Sequence, residues 1–139
     1  MEKTIRQLAV FVENRAGRLA EVSSILGMNS INILGFSIAD TAGYGIFRII
    51  VEDVDRAKEV LRDANFTVKE NEVLCVDVPH EPGGLAKVLK ILSEANINVE
   101  YLYVVANTLI VFNLSDLVKG RRVMEQHNIS LKKIKDISS

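Results

Sequence analysis

Two short turns hold the residues best suited to binding a small anionic group. The first, residues 13–19, centres on Gly17, and the second, residues 79–85, centres on Gly83. Each turn lies between an alternating apolar run and a segment with helical apolar spacing, which predicts a strand, a glycine turn and a helix start. Backbone N–H groups at such a helix start have no partner within the helix and favour an anion such as a carboxylate. Two anion-binding turns in one small chain are the first indication of function.

Four polar side chains could complete a binding site around these turns. Asn32 and Asn98 stand between apolar residues on predicted strands, against the usual strand preference. An amide is both donor and acceptor, so it could bind either charged group of an α-amino acid. Asn14 and His80 precede the two glycines, and each has a structural alternative: Asn14 could cap the following helix, and His80 could be an exposed turn residue.

The composition excludes several classes of function. The chain has 139 residues, 48% of them hydrophobic and 25% charged, as in a globular protein. The net charge of −1 and the absence of a basic block argue against nucleic acid or membrane as a partner. No signal peptide or membrane-spanning segment is apparent, so a cytoplasmic location is expected.

Recognised motifs for catalysis or for metal binding are also missing from the sequence. The single cysteine, Cys75, lies in an apolar run and is expected to be a buried thiol; no cofactor or metal is expected, since the histidines lack metal-ligand spacing. There is no nucleophile-elbow, phosphate-loop or dinucleotide glycine motif. We therefore expect the chain not to be an enzyme.

The chain contains an internal repeat. When residues 8–37 are placed over residues 74–103 without a gap, 11 of 30 positions are identical, against about two for random pairing. The match resumes after a three-residue deletion, with Asp53 over Asp116. The sequence thus predicts two tandem domains, residues 1–71 and 72–139.

Each copy reads as strand, helix, strand, strand, helix, strand. The predicted strands are residues 4–13, 31–39, 45–51 and 66–70, then 73–78, 97–105, 108–114 and 129–135. The predicted helices are residues 19–28, 54–64, 84–95 and 116–126, with Asp53 as an N-cap, Asn65 as a left-handed helix end, and turns at residues 40–43 and 106–107.

This order predicts an α+β fold of two ferredoxin-like βαββαβ units. We expect the units to lie side by side and to share an eight-stranded antiparallel sheet with the helices on one face. Apolar residues on the second strand of each unit (Leu34, Phe36, Ile38, Leu102 and Val104) would be exposed on a single unit. The bare sheet face is expected to pack against a second chain, which makes a homodimer.

The motifs on this fold resemble those of the ACT domain. Residues 14–20, Asn-Arg-Ala-Gly-Arg-Leu-Ala, and residues 31–33, Ile-Asn-Ile, carry the resemblance in the first copy. Residues 81–86, Glu-Pro-Gly-Gly-Leu-Ala, and residues 97–99, Ile-Asn-Val, carry it in the second. ACT domains commonly have proline before the turn glycine, which Pro82 matches and Ala16 does not.

The resemblance implies a regulatory module that binds a free amino acid between paired domains and modulates a separate enzyme or regulator of amino-acid metabolism. In ACT domains the polar residue before the turn and the asparagine of the second strand hold the ligand. The predicted ligand-binding residues are therefore Asn14, Arg15, Ala16, Gly17, Arg18, Leu19, Asn32, Ile33, His80, Glu81, Pro82, Gly83, Gly84, Leu85, Asn98 and Val99. If the units lie edge to edge, Gly17 would face Asn98 and Gly83 would face Asn32. The alternatives are a purely structural dimerisation module and a small hydrolase of acylphosphatase type.

The two turns are predicted to differ in affinity. Arg15 and Arg18 make the first turn cationic, although surface arginines are often simply solvated. The second turn has Glu81, Pro82 and Gly84, so it carries an acid together with a rigid backbone. We expect the first turn to bind a plain carboxylate more strongly.

Overall fold

The computed structural model of the chain describes residues 3–41 and 43–138. Seven strands and five helices lie in these ranges. In chain order they are β1 (Ile5–Glu13), α1 (Arg18–Met28), β2 (Ile33–Thr41), β3 (Tyr44–Val51), α2 (Val54–Asp63), β4 (Thr67–Asp77), α3 (Gly84–Glu94), β5 (Val99–Ala106), β6 (Leu109–Leu114), α4 (Leu117–Gln126), β7 (Leu131–Lys132) and α5 (Ile134–Ser138). The chain divides into two compact units, one built from residues 6–71 and the other mainly from residues 72–137.

The first unit has the strand order β2-β3-β1-β4. β1 and β2 both pair antiparallel with β3. Every second residue of β1 from Leu8 to Val12 is buried, as expected for a strand with one face on a core. Val22 and Leu26 of α1 and Leu61 of α2 are also fully buried, so both helices contribute an apolar stripe to this core.

The second unit repeats the plan with β4, β6 and β5 in order and β7 beside β4. Its core joins sheet residues such as Leu74 and Phe112 to Val88 and Leu92 of α3 and Met124 of α4. The predicted βαββαβ units are therefore confirmed in each half of the chain.

Several local predictions are confirmed. The Asp53 carboxylate accepts a hydrogen bond from the Arg56 N–H at 3.2 Å and caps α2. Asn65 ends that helix with a φ of 69°, in the left-handed region that asparagine tolerates. Cys75 is fully buried, and this burial raises the pKa of its thiol to about 12.

The prediction of eight strands is wrong by one. Residues 66–70 and 73–78 were expected as two strands, but the chain runs through them as the single strand β4. The polar residues between them have partners: Asn71 accepts a hydrogen bond from the Gln7 side chain at 3.0 Å, and Glu72 accepts one from Thr4 at 2.8 Å. Because these groups are satisfied, the strand does not have to break there.

The predicted strand over residues 129–135 is confirmed only in part. Leu131–Lys132 is extended and pairs with β4, and the helix α5 follows from Ile134. The Asp136 carboxylate accepts the Lys133 N–H at 2.8 Å, which is the half of a capping box that starts a helix. The predicted turn at residues 40–43 includes Ala42, which lies outside the described residues; β2 continues to Thr41.

The expectation of a bare sheet face is not met. Gln7 and Ile50 in the first unit, and Cys75 and Val111 in the second, are fully buried although they alternate with the residues of the helix-side cores. The exposed apolar residues of the second strands lie on the helix side instead. Leu102, for example, pairs with the core residue Phe112, and directly paired residues share a face.

Candidate functional site

The first turn has the conformation that its glycine predicts. Gly17 has φ 89° and ψ −15°, and the Arg18 N–H points to the Arg15 carbonyl at 3.5 Å. Positive φ at the third residue with an i to i+3 contact identifies a type II β-turn. Ala16 occupies the second position, where proline is common, and the turn forms without it.

The second turn is of the same type, but one of its glycines has a packing role. Gly83 has φ 82° and ψ −6°, and the Gly84 N–H donates to the Glu81 carbonyl at 3.0 Å. Gly84 is buried, and a Cβ on it would lie 2.1 Å from the Pro79 carbonyl oxygen. The chain itself therefore fills the space beside Gly84, and the Gly84 N–H already has a partner.

The arginines of the first turn are already paired. Arg15 contacts Glu13 at 3.0 Å, and Arg18 contacts Glu21 at 2.7 Å. The Arg18 guanidinium also lies 4.3 Å from the centre of the Phe66 ring, where it gains a cation–π contact. The first turn therefore does not present two uncompensated cations. The charge of its arginines gives no reason to expect stronger carboxylate binding there.

A cavity of about 300 Å³ lies beside the first turn. It brings the predicted residues Asn14, Arg15 and Leu19 together with Ile38 and Asp40 of β2, and Val12, Glu13 and Gly45 complete its lining. Asp40 is not among the ligand-binding residues predicted from the sequence. The strand register would have found it, since Asp40 pairs with Gly45, and Gly45 pairs with Val12 just before the turn.

The second unit has a cavity of about 290 Å³ on a different set of elements. Pro79 and Gly84 line it, but the other walls are Asp77, Lys87, Val88 and residues 127–130. His80 and Glu81 are exposed and do not line this cavity. The remaining residues of the two turns that were predicted to bind ligand are also largely exposed: Ala16, Gly17, Leu19, Pro82, Gly83 and Leu85.

The two asparagines precede their strands rather than lying on them. Asn32 is exposed just before β2, and Asn98 is exposed just before β5. The Asn98 backbone exchanges two hydrogen bonds of 2.9 Å with Ser115. Ile33 and Val99, which begin the two strands, are half-buried.

Within each unit the asparagine and the turn lie at opposite ends of a helix. In the second unit, Asn98 lines a cavity of about 410 Å³ with Ser93 and Asn96, at the end of α3. Gly83 lies at the start of that helix, which has 11 residues and a length of about 16 Å. A single unit therefore does not join its own turn to its own asparagine, and the pairing of each turn with the other unit's asparagine stays a prediction.

Other kinds of site find no support in the described residues. Within residues 3–41 and 43–138, no group of three or more His, Cys, Asp or Glu side chains could hold a metal ion. None of the helices in this part of the chain is long and apolar enough to cross a membrane.

Comparisons with known proteins agree with the fold and the motifs. A crystal structure of a protein from Bacteroides thetaiotaomicron has a TM-score of 0.91 and 36% identity, over 97% of this chain and 96% of that one. The ligand-free regulatory subunit of aspartate kinase from Thermus thermophilus has a TM-score of 0.62 and 13% identity, over 87% and 91%. No curated protein matches the chain. The family model of the ACT domain pair matches residues 3–139, and the chain belongs to this family.

Proposed function

We propose that the chain is a regulatory protein that binds a free amino acid and modulates a separate enzyme or regulator of amino-acid metabolism. The cavity beside the first turn is the observation that carries this proposal. It combines a helix start, the Asn14 amide, a carboxylate and an apolar wall. These are the groups that an α-amino acid needs, since it has a carboxylate, an ammonium group and a side chain around one carbon.

The chemistry assigns no catalytic step to the chain. The carboxylate of the ligand would accept hydrogen bonds from N–H groups at the start of α1 and from Asn14. His80 of the second turn and the asparagines Asn32 and Asn98 do not line this cavity, and their contact with a ligand stays a prediction. The regulatory subunit of aspartate kinase shares the fold, and regulation of an enzyme of amino-acid metabolism is the form of action that we propose here.

The test is a thermal-unfolding screen against the twenty amino acids. A ligand at about 100 times its Kd stabilises the native state by about 2.7 kcal/mol. For a chain of this size that corresponds to a rise in Tm of roughly 8 °C. If no amino acid at millimolar concentration raises the Tm, the sensing proposal fails and the structural dimerisation module is favoured.

Two matched variants locate the site. Asn14→Ala should keep the ligand-free Tm, because Asn14 is exposed and α1 has no side-chain cap. It should reduce the shift caused by the ligand. His80→Ala changes the corresponding position of the second turn. If the ligand binds in the cavity of the first unit, His80→Ala should reduce the ligand-induced Tm shift less than Asn14→Ala does.

We also propose that the working species is a homodimer. Phe36 and Val104 on the outer strands of the two units are 60% and 61% exposed, and such apolar edges favour pairing. Sedimentation at micromolar concentration should give about twice the chain mass of 15.4 kDa. Phe36→Asp should weaken the dimer and Met28→Asp, on α1, should not; a clean monomer for the unmodified chain would contradict the proposal.

A further inference from the structure

We propose that Asp40 binds the α-ammonium group of the amino acid, and that the first unit alone has this acid, so that one amino acid binds per chain. This rests on the proposed function and names the group that selects an amino acid over other small carboxylates. Asp40 lies near the end of β2 and is one of the residues that line the cavity beside the first turn.

The charges around the cavity leave Asp40 available. Of the two acids in the lining, Glu13 is paired with Arg15 at 3.0 Å and lies 3.6 Å from Arg18. The Asp40 side chain is exposed, and its carboxylate has no hydrogen bond or ion pair with any residue in the part of the chain that the structure describes. A cation that enters the cavity therefore meets one carboxylate whose charge is uncompensated.

The strand register sets Asp40 at a suitable place. Asp40 on β2 pairs with Gly45 on β3, and Gly45 pairs with Val12 near the end of β1. Asp40 therefore lies level with the end of β1, with one strand between them. Gly45 has no side chain, so it places no group between Asp40 and Val12; a Cβ there would lie 3.6 Å from the Val12 side chain. The Leu19 and Ile38 side chains form an apolar wall of the same cavity, against which the ligand side chain can pack.

The second unit lacks the equivalent acid. The second strand of that unit, β5, ends in Val104, Val105 and Ala106, none of which is acidic. An acid does occur in the cavity of the second unit, but Asp77 accepts a hydrogen bond from the Thr108 hydroxyl at 2.7 Å. In addition, Gly84 of the second turn packs directly against Pro79. The duplication has thus produced two units with unequal binding groups.

The experiment is calorimetric titration of the full chain with the amino acid that gives the largest Tm shift. Asp40→Asn keeps the size of the side chain and removes its charge. We expect one site per chain in the unmodified protein and an affinity roughly 10- to 100-fold lower in Asp40→Asn, the effect of losing a charged hydrogen-bond partner. Asp63→Asn, at the exposed end of α2, and Asp77→Asn are the matched controls and should bind as the unmodified chain does.

A second ligand makes the test specific for the ammonium group. The 2-hydroxy acid with the same side chain replaces the ammonium by a hydroxyl, and it should bind the unmodified chain more weakly. Asp40→Asn should not weaken it further, because the charged contact is already absent.

Equal affinity of Asp40→Asn and the unmodified chain for the amino acid would overturn the proposal. So would two equivalent sites per chain, or an equal loss of affinity for both ligands in Asp40→Asn. If the unmodified chain binds no amino acid, the proposed function itself fails and this inference fails with it.

Discussion

Replacing Gly84 by alanine should destabilise the second unit. The new Cβ would lie 2.1 Å from the Pro79 carbonyl oxygen, whereas ordinary contact begins at 3.4 Å. Backbone must therefore move by roughly 1 Å, and overpacking of this kind costs about 1–3 kcal/mol. Loss of the hydrogen bond from the Gly84 N–H to Glu81 adds about 1 kcal/mol, while the lower entropy of the unfolded alanine chain returns about 0.5–1 kcal/mol.

We expect a net loss of about 1–3.5 kcal/mol in the free energy of unfolding, measured by urea denaturation. Gly27→Ala is the matched control, because Gly27 lies on α1 and a Cβ there meets nothing within 4 Å. It should stabilise the chain by about 0.5–1 kcal/mol. If Gly84→Ala is as stable as the unmodified chain while Gly27→Ala behaves as expected, the packing of the second turn against Pro79 is refuted.

Three further predictions concern an ion pair, a helix cap and the thiol. Hydrogen bonds from Arg6 and Lys58 lower the pKa of Glu70 from 4.5 to about 2, so its contribution is present above pH 4.5 and is lost as the pH falls towards 2. Glu70→Gln should remove about 1 kcal/mol at pH 7 after allowance for solvent screening, and nothing near pH 2. Asp53→Ala should cost about 1 kcal/mol in urea denaturation because α2 loses its cap. Cys75 should react with a thiol reagent far more slowly in the native chain than after unfolding, since it is buried and its thiol pKa is about 12.

For each of these three predictions, one experimental result would contradict it. A difference between Glu70→Gln and the unmodified chain that stays constant from pH 7 to pH 2 would show that the carboxylate charge contributes nothing. An unchanged stability of Asp53→Ala would deny the cap, and rapid native labelling of Cys75 would deny its burial.

The sequence predicted those parts of the fold that local patterns determine. Asp53 caps α2 and Asn65 ends it through groups within a few residues of one another. The continuity of β4 depends on partners more than sixty residues away, such as Thr4 for Glu72 and Gln7 for Asn71. Polar residues between two apolar runs indicate a break unless those partners are known, so the eighth strand was predicted in error.

The candidate site beside the first turn can be predicted from the sequence only in part, for the same reason. Gly17 could be identified because a type II turn needs positive φ at its third residue. Asp40 could not, because it reaches the cavity only through its pairing with Gly45. Local spacing also gave no sign that Glu21 and the Phe66 ring engage Arg18.

The decisive experiment is a crystal structure of the chain with the amino acid that gives the largest Tm shift. We expect the ligand in the cavity beside the first turn, with its carboxylate near Asn14 and its ammonium within about 3 Å of the Asp40 carboxylate. An amino acid bound away from this cavity, or held there without contact to Asp40, would refute the proposed binding mode.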